Sequence, residues 1–210
     1  MVSLYTEPTT SDWTAFFSAM KSNEVLDLFT QCGALLEGHF QLSSGLHSPG
    51  YLQCALVLQH PDFSERLGLA VAHRVKEWRP TVVLSPALGG ILIGHEVARA
   101  LGVPGIFVER REEQMSLRRG FQLSPGEQVL VVEDVITTGK STQETIGVAC
   151  DLGAEVIGVA SVINRGGVDV NLGIRFETLA EVSWPTHKPT ECPQCASGIP
   201  IMKPGSRPVL

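Results

Sequence analysis

The sequence predicts an α/β fold, a central and mainly parallel sheet flanked by helices, with a small N-terminal α+β appendage. Three observations predict it. Helical and strand-like segments alternate from Pro61 to Ile163, the pattern of parallel βαβ units. The strands are short unbroken apolar runs, as expected where both faces of a sheet are covered. Residues 86–90, 110–119, 133–142 and 164–167, which carry glycines, hydroxyls and charges, each follow a strand. That places them together at the carboxyl ends, where open α/β sheets bind ligands.

Composition sets the bounds. The 210 residues are 43% hydrophobic and 18% charged, enough apolar material for one packed domain with a small appendage. A formal net charge of −6 argues against a nucleic-acid partner, which calls for a basic surplus. No apolar run approaches the roughly 20 residues of a membrane span. The N-terminus, MVSLYTEPTTSDW, has neither the basic nor the apolar region of a secretory signal. A cytoplasmic protein without a membrane partner is expected. Cys32, Cys54, Cys150, Cys192 and Cys195, odd in number and scattered, suit reduced thiols. Cys192 and Cys195 form a CxxC, but a structural zinc site takes four ligands, and only His187 lies near in sequence. A turn is the preferred reading, and two subunits pooling their pairs across an interface is the alternative.

In chain order, residues 11–21 and 23–32 read as short helices, capped by Thr10 or Ser11 and by Ser22 or Asn23, with Gly33 ending the second. Trp13, Phe16, Phe17, Met20, Val25, Leu26, Leu28 and Phe29 recur at helical spacing and predict packing surface. Leu35, Leu36, Phe40 and Leu42 then lead into a turn-rich stretch, 43–50, and a strand is expected over 51–58. This predicts a small antiparallel element apart from the main sheet, with His47 open to reading as a solvated turn residue. Residues 61–78 form an amphipathic helix with Phe63, Leu67, Ala70, Val71 and Val75 on one face. A buried strand, 81–85, reaches a tight turn in which Gly89 and Gly90 permit backbone paths that side chains would penalise. A helix over 91–101 and a strand over 105–109 follow. The next run, RREEQMSLRRGF, is the most highly charged in the chain and, taken alone, reads as a solvated loop. A helix over 141–152, a strand over 155–163 and a last strand over 173–182 complete a core of 61–182. The segments 1–60 and 183–210 flank it, the second proline-rich and expected to be irregular.

The chemistry centres on residues 128–142, QVLVVEDVITTGKST. A buried strand ends on two adjacent acids, Glu133 and Asp134, and Thr137 to Thr142 then open a helix. Unpaired N–H groups and the helix dipole at such a junction favour a phosphate. Bare carboxylates would repel it, so they must face sugar hydroxyls or a magnesium ion that neutralises the ligand. Together these describe a ribose-phosphate cradle. Gly139-Lys140-Ser141 imitates the end of a Walker A loop, but that motif needs glycine where Asp134 stands.

The stretch resembles the 5-phosphoribosyl-1-pyrophosphate (PRPP) motif of type I phosphoribosyltransferases, where the acids hold ribose hydroxyls and loop N–H groups hold the 5′-phosphate. A second stretch, GALLEGHFQLSSGLHSPGYLQCALVLQHP, resembles the N-terminal hood with which orotate phosphoribosyltransferases cover the base. The resemblance spans nearly the whole chain. It implies the type I phosphoribosyltransferase fold and transfer of a phosphoribosyl group from PRPP to orotate, giving orotidine 5′-monophosphate and pyrophosphate. It also implies Mg2+ as cofactor, borne mainly by PRPP, with no protein side chain assigned as its ligand.

Carried onto this sequence, the resemblance makes Asp134, Glu133 and Arg110 the catalytic candidates. PRPP would meet Glu133, Asp134, Val135, Ile136, Thr137, Thr138, Gly139, Lys140 and Ser141, together with Gly89, Gly90, Arg110 and Arg111. Orotate would meet Thr137, Tyr51 and Ser44, with its carboxylate on Arg165, whose planar fork suits it. The family's mobile loop, here 110–120, would reach into the partner's site of a homodimer. Two positions depart from the pattern. Gly89 stands where a lysine is sometimes found, and Gln114 stands where the loop lysine is usual, so that Arg118 or Arg119 must supply charge or the rate falls. A PRPP-binding homologue with reduced catalysis, and a transferase for another base, remain as alternatives. The hood and Arg165 disfavour the latter.

Overall fold

Why the sheet forms as it does is clearest from its elements in order. The computed structural model describes residues 20–42, 44–166 and 170–204. Its elements are α1 (Ser22–Gln31), β1 (Leu35–Gln41), β2 (His47–Leu52), α2 (Ala55–Leu58) and α3 (Pro61–Val75), continued by a 3-10 turn, Lys76–Trp78. Then come β3 (Val82–Pro86), α4 (Gly89–Leu101), β4 (Gly105–Arg111), β5 (Gln114–Leu117), β6 (Gln128–Ile136), α5 (Lys140–Asp151), β7 (Glu155–Asn164), β8 (Phe176–Glu181) and the short α6 (Pro193–Ala196). The expected helix over 11–21 lies almost wholly outside the described residues, as do Ser43 and Gly167.

The main sheet runs β5-β4-β3-β6-β7-β8, parallel throughout except for the antiparallel β4–β5 pair. From β3 the chain steps outward to β4, then returns to lay β6 on the other side. That reversal opens a crevice beyond the carboxyl ends of β3 and β6. Side chains alternate between two cores. Leu130 and Val132 of β6 join the one roofed by α1 to α4, and Val129, Val131 and Ile136 join the one under α5. Both faces are covered, which is why the strands read as unbroken apolar runs.

Three expectations change. The strand expected over 51–58 ends at Leu52, and Ala55–Leu58 is helical. The apolar run there has no period long enough to separate a strand from a buried helical turn, and Val57 and Leu58 are buried on the α1–α4 side. The charged run after Arg110 contains a strand, β5, paired with β4 from Val108–Leu117 to Arg111–Gln114. His47 is no solvated turn residue: it is a buried member of β2.

The tail is largely irregular, as expected, but it is strapped to the β1–β2 hairpin. The His47 and His187 main chains exchange hydrogen bonds of 2.8 and 2.9 Å, the Met202 N–H donates to the His39 carbonyl (2.7 Å) and the Gln41 N–H to that of Met202 (2.8 Å). Gln194 Nε2 donates to the Gly38 carbonyl at 3.0 Å. The CxxC is therefore not alone. His39 and His47, distant in sequence, stand beside it.

Candidate active site

Strand β6 delivers the acid pair to the crevice. Glu133 is buried, and its carboxylate accepts the hydroxyls of Ser141 (2.7 Å) and Thr142 from the first turn of α5. Burial holds its carboxyl above the ordinary range and the Asp134 charge adds to this, while those two hydrogen bonds oppose it. Glu133 thus fixes the helix start. Asp134, half-buried, is also raised by desolvation, against the main-chain N–H groups of Val135 and Asp134 itself. Beneath it lies the buried thiol of Cys54, pushed well up by burial and by the Asp134 charge.

Across the crevice, the turn between β3 and α4 packs directly on Asp134. A Cβ on Gly89 would stand 2.7 Å from Asp134 Oδ1. A side chain at this position would make the Asp134 carboxylate shift. The Ala87–Leu88 peptide in this turn is cis, and Gly90 is buried behind it.

The phosphate-binding candidates follow on. Val135 and Ile136 direct their side chains into the two cores, leaving only main chain for a ligand. Gly139 takes φ +74° at the cap of α5, and the Lys140 N–H reaches Thr138 Oγ1 at 3.4 Å. First-turn N–H groups have no partner within a helix, so this end can receive an anion. Thr138, Lys140 and Ser141 line an open cleft of about 530 Å³ together with Arg110 and Glu113. Arg110 is held there by the Glu144 carboxylate and the Glu113 carbonyl. Arg111 is exposed beside Glu112.

The carboxyl end of β7 closes the other side. The Arg165 N–H donates to the Ile136 carbonyl at 2.7 Å, and a Cβ on Gly166 would stand 2.0 Å from the Thr137 carbonyl. The base-side loop and the phosphate loop are therefore in backbone contact, which glycine alone allows. Arg165 is half-buried, and desolvation lowers its pKa. Tyr51 of β2 lies near enough to oppose that shift electrostatically. Ser44 sits apart on the exposed β1–β2 turn, where its hydroxyl accepts the Leu46 N–H at 3.4 Å.

Sequence reasoning missed the residues that hold the cations. Arg119 makes a two-pronged pair with Glu109 (2.9 and 3.0 Å), which Arg118 joins at 3.3 Å. No motif marks Glu109 or Glu144; only the β4–β5 pairing and the crossing of α5 over it bring them to the arginines.

The phosphoribosyl transferase domain family matches residues 57–170. The chain is 51% identical over 190 residues to the orotate phosphoribosyltransferase of Desulforamulus reducens, covering 90% of this chain and all of that one. It is 50% identical to that of Heliobacterium modesticaldum, with the same coverage. Among solved structures, the Mycobacterium tuberculosis orotate phosphoribosyltransferase in complex with PRPP superposes with a TM-score of 0.61 at 26% identity, over 75% of this chain and 95% of that one. The Aeropyrum pernix enzyme gives 0.63 at 26% identity, over 75% and 93%. At this identity and coverage, the chain belongs to the orotate phosphoribosyltransferase family.

Proposed function

We propose that the protein transfers the 5-phosphoribosyl group of PRPP to orotate, with magnesium, as a cytoplasmic homodimer. What carries this reading is one crevice in which Asp134 abuts the Gly89 turn beside the α5 N-terminus, while the Arg165–Gly166 loop packs on Ile136 and Thr137. Asp134 and Glu133 hold the ribose hydroxyls, Glu133 while also fixing Ser141 and Thr142. The N–H groups from Thr137 to Ser141 hold the 5′-phosphate, and Arg165 takes the orotate carboxylate with Thr137 and Tyr51 about the ring. The bond from ribose C1 to pyrophosphate breaks while one to a ring nitrogen of orotate forms, the nitrogen losing its proton, through an oxocarbenium-like transition state.

Charge gathers on the departing pyrophosphate, and cations preorganised around it lower the barrier. Arg110 with Arg111, and Arg118 or Arg119 in place of a lysine at 114, are cations this chain offers from the β4–β5 hairpin, beside Lys140 in the cleft. A magnesium ion would be borne mainly by the oxygens of PRPP, with no side chain of this chain assigned to it. When bound, that ion supplies further charge neutralisation to the leaving group. Self-association is supported by Leu88 and Leu92, 85% and 50% exposed, beside an apolar groove that includes Leu58, Pro61, Ile91 and Phe107. The five free thiols support a reducing compartment.

The test is pyrophosphate release from PRPP and magnesium with orotate, hypoxanthine, adenine or no base. Release with orotate alone, abolished in Asp134→Asn, is the expected result. Release with a purine would move the reading to another base. PRPP binding without turnover would select a binding protein.

A further inference from the structure

We propose that His39, His47, Cys192 and Cys195 bind one structural zinc ion that fastens the C-terminal tail to the hood. One ligand atom from each of the four lies within 4.8 Å of the others. His39 Nε2 is 3.0 Å from His47 Nδ1, Cys192 Sγ is 3.5 Å from His39 Nε2, and Cys195 Sγ is 3.7 Å from His39 Nε2 and 3.3 Å from His47 Nδ1. A tetrahedral zinc with ordinary bond lengths spaces its ligands about 3.3 Å apart for two nitrogens and about 3.6 Å for nitrogen and sulfur. These four spacings match those edges to within a few tenths of an ångström, and the other two separations lie within 4.8 Å.

The surroundings point the same way. The other ring nitrogen of His39, Nδ1, is 2.8 Å from the Ile199 carbonyl. Donation to that carbonyl fixes the tautomer and leaves the Nε2 lone pair facing the cluster, the usual outer partner of a metal-bound histidine. A register shift between Glu37 and Phe40 breaks the alternation of β1, so that His39 and Phe40 are buried in succession. Bulges of this kind re-aim a side chain, and here it is a ligand candidate that is re-aimed. His39, His47 and Cys192 are 1%, 5% and 3% exposed, while Cys195 sits at the exposed rim. Two imidazoles and a thiol buried together offer each other few complementary hydrogen bonds. A cation satisfies all four at once and leaves no open coordination position, which makes the site structural rather than catalytic.

Binding converts both thiols to thiolates and releases their protons. The ion would then join β1 and β2 to a tail otherwise held by main-chain bonds, steadying the hairpin that carries Tyr51. This is independent of the orotate reading, and its readout needs no turnover.

The full chain, purified from zinc-supplemented cells without chelator, should carry about one zinc per chain by elemental analysis. Cobalt added to the stripped protein should give tetrahedral d–d bands with a thiolate charge-transfer band. A strong thiol-directed chelator should lower the melting temperature of the native chain and leave that of Cys195→Ser unchanged. Cys195 is exposed, so this variant should fold; His39→Gln serves as a second, expected to lose the cobalt spectrum. A metal-free chain whose stripped form gives only octahedral cobalt bands would overturn the proposal. So would a Cys192–Cys195 disulfide in protein kept under reducing conditions, or zinc retained at full stoichiometry in both variants.

Discussion

At the scale of single residues, Asp134 sets function against stability. Desolvation raises its carboxyl, and Glu133 beside it is raised for the same leading reason. An acid whose folded pKa exceeds its unfolded one keeps its proton longer in the native state. Between the two values the native state therefore binds more protons, and stability falls as pH rises, with the full penalty present above the folded pKa. Asp134→Asn keeps the shape and an acceptor for the Val135 N–H while removing the charge. It should melt higher than the native chain at pH 8, with the gap closing as pH falls toward the ordinary carboxylate range of about 4. The same variant should lose turnover. Melting curves across that range decide the matter: an Asn variant no more stable at pH 8 would show that burial is not the dominant influence on this acid.

At the scale of elements, the β4–β5 hairpin shows why a charged run can be both ordered and functional. Its two turn residues, Glu112 and Glu113, have φ of +50° and +69°, the left-handed path that makes a two-residue turn match strand twist. Three arginines then hang from neighbouring acids: Arg110 on Glu144, and Arg118 and Arg119 on Glu109. Exposed ion pairs contribute little to stability, so an anionic ligand that drew these cations away would not unfold the hairpin. Gln114, paired with Arg111 in the ladder, brings no charge. Arg119→Ala is accordingly expected to lower kcat by roughly tenfold or more, as loss of a transition-state donor does. Gln114→Ala should change it by much less. Steady-state kinetics on the two variants check this, and the reverse order would assign the lost lysine's work to Gln114. The strand itself was illegible in the sequence, because charge masks a ladder that only the pairing with β4 defines.

At the scale of the molecule, what the sequence revealed was what depends on near neighbours in the chain. The buried run before Glu133 and the helix after Gly139 announce themselves within a dozen residues and lie where expected, whereas Gly89 and Gly90, expected in the turn, open α4. Roles for Tyr51 and Arg165 required the family resemblance, since nothing local links the two. The Cys192–Cys195 pair misled, because its partners lie 148 to 156 residues away on a hairpin placed by tertiary packing. Assembly lies further from the sequence still. Leu88, at the cap of α4, and Leu92 are 85% and 50% exposed, and the proposed homodimer would set the 110–120 hairpin of one chain near the site of its partner. Mixing decides whether that hairpin serves its own chain or its neighbour. Asp134→Asn and Arg119→Ala, each weak alone, should regain activity when unfolded and refolded together, because a mixed dimer with hairpins in trans has one site lacking neither group. If the hairpin acts on its own chain, each site in the mixture still carries one defect. The refolded mixture would then be no more active than the average of its parents.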